Sequence, residues 1–342
     1  MNYKLLGKSG LRVSELALGT MTFGEEWGWG SDKEESKNVF DAYANSGGNF
    51  IDTANRYTEG TSEKFVGEFV ASDRDHFVVA TKYTFHTRRD DPNFSGNHRK
   101  NMMQSLDGSL KRLKTDFVDL YWLHAWDYTT PEEEILRALD DMVRAGKILY
   151  IGISDTPAWI VSRMNAIAEL RGWSQFVALQ IKYSLLERTV ERELLPMARK
   201  LDLAVTPWAV VGGGILSGKY NKNKNEEGRA QHYKSLKEDH LKIADKVIKI
   251  ADEAGCPPSQ VAINWVRQQP GVIIPIIGAK TESQLKENID CMKFNLNEEH
   301  LTKLDEVSKI DLGFPHTFLE SSNIRDITYG GTYNKIENHH KF

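Results

Sequence analysis

The sequence predicts an α/β protein, a closed (β/α)8 TIM barrel, and three observations carry that prediction. Short apolar runs of strand length recur eight times, near residues 15–19, 48–52, 77–82, 117–123, 148–154, 176–181, 202–207 and 272–277. The stretches between them are long enough for helices, the pattern of βα units around a parallel sheet. Several runs also lead directly into a residue that can do chemistry: Asp52, Lys82, His124, Ser154 with Asp155, and Gln180, with Tyr57 in the turn behind Asp52. In a closed barrel every strand's carboxyl end opens on one mouth, so residues far apart in sequence can meet there.

Each helix between the runs has its own signals. Ser31-Asp32-Lys33-Glu34 reads as a capping box opening the first helix, and Gly47-Gly48 closes it, glycine being the cheapest left-handed cap. Thr130-Pro131-Glu132-Glu133 sets an N-cap, a first-turn proline and acids at a helix start, and that helix ends at Ala145-Gly146-Lys147. The connection from 207 to 271 is unusually long: a glycine-rich loop, a polar stretch at 221–235, a helix over 236–254, and another opened by Pro257-Pro258. A polar insertion of this length is either a mobile cover over a site or a solvated excursion. Two amphipathic stretches follow the eighth strand, at 281–290 and 297–308, and the tail 311–342 shows no clear period. Without a repeat or a composition shift, residues 1–342 read as one domain.

Composition narrows the function classes. The 342 residues are 40% hydrophobic and 27% charged, with a net charge of −4 and a pI near 6.2. No basic field is present for nucleic acid or an anionic membrane, and no apolar run approaches a membrane span. The first residues lack the apolar core of a signal peptide. Two isolated cysteines, Cys256 and Cys291, form neither a disulfide framework nor a metal set. A cytoplasmic protein with no metal site fits best, with a small molecule as its partner; a homo-oligomer is compatible with all of this.

The strand-end residues are ambiguous singly and informative together. Burial at the end of an apolar strand is expected to lower the pKa of Lys82, although a lysine there more often emerges into solvent. Asp at a strand end is often a cap or turn former, and a lone histidine is more often a core residue than a catalyst. As a set, Asp52 would keep Lys82 charged, and the ammonium would ease proton loss from the Tyr57 phenol, whose ordinary pKa is about 10. His124 would orient a carbonyl oxygen. Such a site suits proton delivery to a carbonyl that receives a hydride. Trp27, Trp29, Trp126, Tyr128, Phe314 and Phe318 fall in loops and tail that should rim the mouth and could form an apolar substrate pocket. Gly213-Gly214-Ile215-Leu216-Ser217-Gly218-Lys219 imitates a P-loop, but Tyr220 stands where Ser or Thr would ligate Mg²⁺, so it is rejected.

Over almost its whole length the chain resembles the aldo-keto reductase superfamily. The resemblance rests on Leu18-Gly19-Thr20-Met21-Thr22-Phe23-Gly24, Phe50-Ile51-Asp52-Thr53-Ala54 with Tyr57, Ala80-Thr81-Lys82, Asp116 through His124, Gly146-Lys147-Ile148, and Pro275 through Lys280. Ser154-Asp155-Thr156-Pro157-Ala158-Trp159 looks closest to the aryl-alcohol dehydrogenase-like and potassium-channel β-subunit-like branches. The resemblance implies a catalytic tetrad of Asp52, Tyr57, Lys82 and His124 and an NADP(H) cofactor. It implies that Gly19, Thr20, Met21 and Asp52 border that cofactor, and that Ser154, Asp155 and Gln180 hold the nicotinamide amide, Asp155 replacing the family's usual Asn. It implies that Thr206, Pro207 and Trp208 also border the cofactor; Val205 aligns with the family's stacking aromatic, and Trp208 is the candidate substitute. Gly278, Ala279, Lys280, Gln284, Glu287 and Asn288 would take the adenosine phosphates, Lys280 favouring NADP over NAD, with Lys219 and Arg229 clamping the pyrophosphate. The implied function is NADPH-dependent reduction of aldehydes or ketones; the alternatives are an NADP-binding accessory subunit with little turnover, or a sugar or alcohol dehydrogenase.

Overall fold

The computed structural model describes residues 1–223, 226, 229–232 and 236–339. Eight parallel strands form the sheet: β1 (Ala17–Gly19), β2 (Phe50–Asp52), β3 (Val78–Tyr83), β4 (Val118–Leu123), β5 (Ile148–Ser154), β6 (Ala178–Lys182), β7 (Ala204–Trp208) and β8 (Ile276–Ile277). They run in chain order around the sheet, and β8 pairs back onto β1 through Ile276 with Ala17 and Ile277 with Leu18. The ring closes between β7 and the chain entering β8. There Val205 bridges Ile273, its N–H donating to Val272 O at 2.7 Å and its carbonyl accepting from Ile274 N at 2.8 Å. This is the barrel predicted from the eight apolar runs.

Strand alternation divides the apolar residues into two cores. Ala17, Phe50, Val78, Ala80, Leu120, Trp122, Ala178, Ala204 and Ile274 pack inside the ring, while Leu18, Ile51, Val79, Tyr121, Ile153, Leu179 and Val205 face the helical layer. The lower end is plugged by an antiparallel hairpin, Tyr3–Leu5 with Arg12–Ser14, which brings Leu6 and Val13 into the inner core. The hairpin's strands, Tyr-Lys-Leu and Arg-Val-Ser, mix basic with apolar residues and form no apolar run, so the hairpin is a finding of the structure alone. Higher up, the Trp122 indole fills the barrel against Gly152, its register partner on β5.

Several boundaries differ from those the sequence predicts. The first helix, Lys33–Asn45, is capped by Asp32, whose carboxylate accepts from Glu35 N at 2.8 Å, one residue later than the predicted box. Ser31 is drawn away because its hydroxyl donates to Lys280 O at 2.7 Å, tying the helix start to the loop after β8. Helix Glu132–Arg144 starts one residue after the predicted Pro131, and Thr130 is held by Asp127 instead. The long excursion contains a 3-10 segment Gly212–Ser217 and helices Lys219–Lys222, Arg229–His232 and Glu238–Ala254, followed by Pro258–Arg267. Part of its polar stretch 221–235 lies outside the described residues. The tail forms two short helices, His316–Glu320 and Ser322–Tyr329, with no buried residue. Among the described residues no helix is long and apolar enough to cross a membrane.

A Cβ on Gly152 would stand 2.3 Å from Cε3 and 2.4 Å from Cζ3 of the Trp122 ring, which is fully buried. Gly152→Ala is therefore expected to lower stability by about 1–3 kcal/mol through overpacking, read as a fall in the urea midpoint of unfolding.

Candidate active site

The upper layer of inward-facing positions is polar. Moving two residues along each strand from an inner-core position gives Asp52 after Phe50, Lys82 after Ala80, His124 after Trp122, Gln180 after Ala178 and Thr206 after Ala204. Ser154 follows Gly152 in the same way. All six are buried. One period-2 pattern thus both fills the barrel and lines its mouth.

Lys82 is the centre of this layer and is 0% exposed. Its Nζ donates to Asp52 Oδ2 at 2.5 Å, to Thr53 O at 2.8 Å and to Tyr57 OH at 3.1 Å, using all three ammonium protons. Burial works against the charge, but the Asp52 carboxylate and Tyr57 overcome it and hold the Lys82 pKa above its ordinary value. The expected lowering is therefore reversed, because the ammonium is buried with a complete set of acceptors. Tyr57 is delivered by a constrained turn: Thr58, Glu59 and Gly60 are all left-handed, at φ of 45°, 55° and 92°. Thr58 anchors that turn by donating to Phe23 O at 2.6 Å.

His124 stands on the far side of Tyr57, ring centroids 6.0 Å apart and nearly perpendicular. Phe85 packs on it at 4.2 Å. Burial, then the nearby Lys82 charge, depress its pKa well below the ordinary histidine value, so the imidazole is neutral at neutral pH. Its Nδ1 is buried with no hydrogen-bond partner among the described residues.

On the opposite rim, Asp155 adopts φ 42° immediately after β5, and its Oδ1 accepts from Trp208 Nε1 at 3.3 Å. Desolvation pushes its carboxyl up to about 6 despite that bond. Val205 belongs to the outer core, facing the helices, which corrects its alignment with a stacking aromatic. Strand alternation puts Thr206 and Trp208 on the inner face instead, and Pro207 pairs with Ile181 between them.

Two buried hydroxyls beside this rim, Ser154 Oγ and Thr206 Oγ1, have no partner among the described residues. Ser154 and Gln180 are register partners on β5 and β6. A ligand amide placed there would satisfy the free hydroxyl of Ser154, so the residues present fit a nicotinamide amide. Across the mouth, Gly278 leaves open backbone: a Cβ at that position would meet only Gly19 O, at 3.5 Å. Thr22 Oγ1 donates to Ala279 O at 2.7 Å, and Gln284 Oε1 accepts from Lys280 N at 3.0 Å. Thr20 spends its hydroxyl on Asp52 O and Ser62, and Met21 is half-buried. Thr281 caps helix Glu282–Ile289, although Glu35 already accepts from Glu282 N at 2.7 Å. Lys280 is exposed. Asn288 is buried, while Glu287 accepts from Ser259 Oγ at 2.6 Å. Lys219 lies over the Tyr220 ring at 4.9 Å, and the Arg229 side chain lies outside what is described.

The rim aromatics divide into three groups. Trp27 meets Tyr57 edge-on at 6.4 Å and Trp29 at 5.7 Å, which brings that pair to the tetrad. Trp126 and Tyr128 contact each other at 6.4 Å, and Trp126 N donates to Asp155 O. Phe314 and Phe318 touch one another at 6.0 Å and are exposed in the tail. Sequence reasoning misses Phe85; its signal is an aromatic three residues past Lys82, in the loop that β3 feeds into the mouth. The Thr53 carbonyl could not be found that way, since any residue supplies one. Among the described residues no group of three or more His, Cys, Asp or Glu could hold a metal ion.

A family model described as the aldo/keto reductase family matches residues 15–309. The norsolorinic acid reductase of Aspergillus flavus is 38% identical, over 92% of this chain and 83% of its own length. A putative aryl-alcohol dehydrogenase of Saccharomyces cerevisiae is 37% identical, over 92% of this chain and 89% of its own. The NADP(+) aryl-alcohol dehydrogenase of Phanerodontia chrysosporium is 34% identical, over 95% and 91%.

The depressed His124 pKa predicts a stability loss on acidification. Below the ordinary value of 6.5 the unfolded chain takes up a proton that the folded site refuses, so stability falls as pH drops through that value. In His124→Gln the fall in urea midpoint between neutral pH and about pH 5 should be shallower than in the wild type.

Proposed function

The chain belongs to the aldo/keto reductase family and is an oxidoreductase of carbonyl and alcohol groups; on that premise we propose that it reduces aromatic aldehydes or ketones with NADPH, as one catalytic domain spanning residues 1–342. The observation that carries this reading is the buried Lys82 ammonium, within 2.5 Å of Asp52 and 3.1 Å of Tyr57 OH. A reduced nicotinamide, when bound, supplies the hydride that the carbonyl carbon receives. Everything else is work for side chains of this chain.

Tyr57 gives its phenolic proton to the carbonyl oxygen as that oxygen gains charge. The Lys82 ammonium, already donating to the phenolic oxygen, stabilises the phenolate left behind. Asp52 keeps the ammonium charged and aimed. Neutral His124 donates a hydrogen bond to the same carbonyl oxygen and directs its lone pair at Tyr57. In the oxidative direction the same groups run in reverse. Ser154 and Gln180 would hold the nicotinamide amide. Lys280, exposed beside the open backbone of Gly278, would meet the 2′-phosphate that distinguishes NADPH from NADH. Trp27, Trp29, Phe85 and Trp126 would line an apolar site for a flat substrate. The names of the relatives, norsolorinic acid reductase and aryl-alcohol dehydrogenase, support an aromatic carbonyl.

The test is NADPH oxidation, followed by its absorbance, with a panel of aromatic aldehydes and ketones. Tyr57→Phe should retain NADPH binding and lose about 10²–10⁴-fold in turnover; turnover near wild type would remove Tyr57 from its role. Lys280→Ala should weaken NADPH about 10- to 100-fold, by the loss of one charge-assisted hydrogen bond, and leave NADH unchanged. Fluorescence quenching by each nucleotide reads this directly. Equal losses for both would make Lys280 a holder of the loop.

A further inference from the structure

Among the described residues, Gln180 is the one uncharged side chain bonded to the tetrad's carboxylate. Its Nε2 donates to Asp52 Oδ1 at 3.0 Å, across 128 residues of chain, and both groups are buried. The orientation of the amide is dictated by charge, since turning Oε1 toward a carboxylate would set acceptor against acceptor. The two Asp52 oxygens are therefore divided: Oδ2 serves Lys82 and Oδ1 serves Gln180. Among the described residues no donor reaches Gln180 Oε1, which stays free to accept from a ligand amide beside the unpartnered Ser154 hydroxyl.

We propose that Gln180 is a positioning residue for Asp52: one amide receives the cofactor's carboxamide on its oxygen and fixes the tetrad's carboxylate with its nitrogen, so that occupancy of the cofactor site and the aim of Lys82 are mechanically joined. This rests on the carbonyl-reductase reading above, yet the half that concerns Asp52 exists in the protein without any ligand. Without Gln180, Asp52 Oδ1 would be a buried charged acceptor with nothing to accept from. The carboxylate would then either protonate more readily or turn, and Lys82 would lose the fixed partner that keeps its third proton on Tyr57. The charged and titratable groups around Asp52 are Lys82 from β3, bonded to it; Tyr57 from the turn after β2, bonded to Lys82; His124 just past β4, its ring against Tyr57; and Asp155 across the mouth, under the field of Lys82.

The test begins with cofactor-free protein. Carboxyl ¹³C shifts of labelled aspartates are followed against pH by NMR, the Asp52 resonance being identified by its loss in Asp52→Asn. In Gln180→Leu the Asp52 midpoint should rise by about one pH unit, the equivalent of one hydrogen bond to a charged group. In Gln180→Glu it should rise further, because a second carboxylate then faces the first. Ser154→Ala, which removes only the ligand-side hydroxyl, should leave the midpoint in place while weakening NADPH. A second measurement is the acid limb of the kcat profile, which should move up with Gln180→Leu and stay with Ser154→Ala. An unmoved Asp52 midpoint in both Gln180 variants overturns the proposal, as does an equal shift in Ser154→Ala. Failure of the carbonyl-reductase reading would show separately, as full turnover in Tyr57→Phe, with the cofactor-free titration unaffected.

Discussion

A charged amine sealed inside a barrel is the constraint on which the upper half of this molecule depends. An unpaired buried ammonium is costly, so Lys82 demands three acceptors at once, and the chain supplies them from two places. Thr53 and Asp52 come from the end of β2, and Tyr57 from the turn that follows. That demand explains why the turn is left-handed at three successive residues and why Thr58 is bolted to Phe23. The Tyr57 phenol is therefore placed by the solvation needs of its neighbour.

The neutral and charged sides of the mouth follow from the same source. Lys82 adds its field to the burial that keeps His124 unprotonated, and it partly opposes the desolvation that raises Asp155. The result is an ammonium, a carboxylate, a phenol and a neutral imidazole gathered at one mouth, an arrangement that suits the proton transfer proposed for Tyr57. Below it, apolar residues and the Trp122 ring keep the barrel dry, and the N-terminal hairpin stops the lower end.

The loop after β8 is held to the first helix by side chains that sequence rules assign to other work. Ser31 leaves the cap for the Lys280 carbonyl, Thr22 takes the Ala279 carbonyl, and Glu35 takes the Glu282 N–H. These bonds fix the open backbone at Gly278 opposite Ser154 and Gln180. The tail, by contrast, makes ring contacts within itself, Phe314 with Phe318 and Tyr329 with Tyr333, and reaches the body through Asp311 O and His316.

By itself the sequence determined the barrel, its eight strands and the identity of the polar residues at their ends. Apolar runs alternate at a period set by the pleat, and a parallel ring leaves one place for their carboxyl ends. It also determined that Asp52, Tyr57, Lys82 and His124 belong together, because those residue types make chemical sense as a set. Tertiary structure alone decided the sign of the Lys82 shift, which turns on whether a buried charge finds acceptors, and so on distances no sequence states. It decided that Val205 faces the helices while Thr206 and Trp208 face the mouth, a one-residue matter of register. It decided that Phe85 joins the site and that Ser31 abandons its helix. And it placed Gln180 against Asp52 across 128 residues, because hydrogen bonds between strands of a ring depend on closure, which is a property of the whole chain.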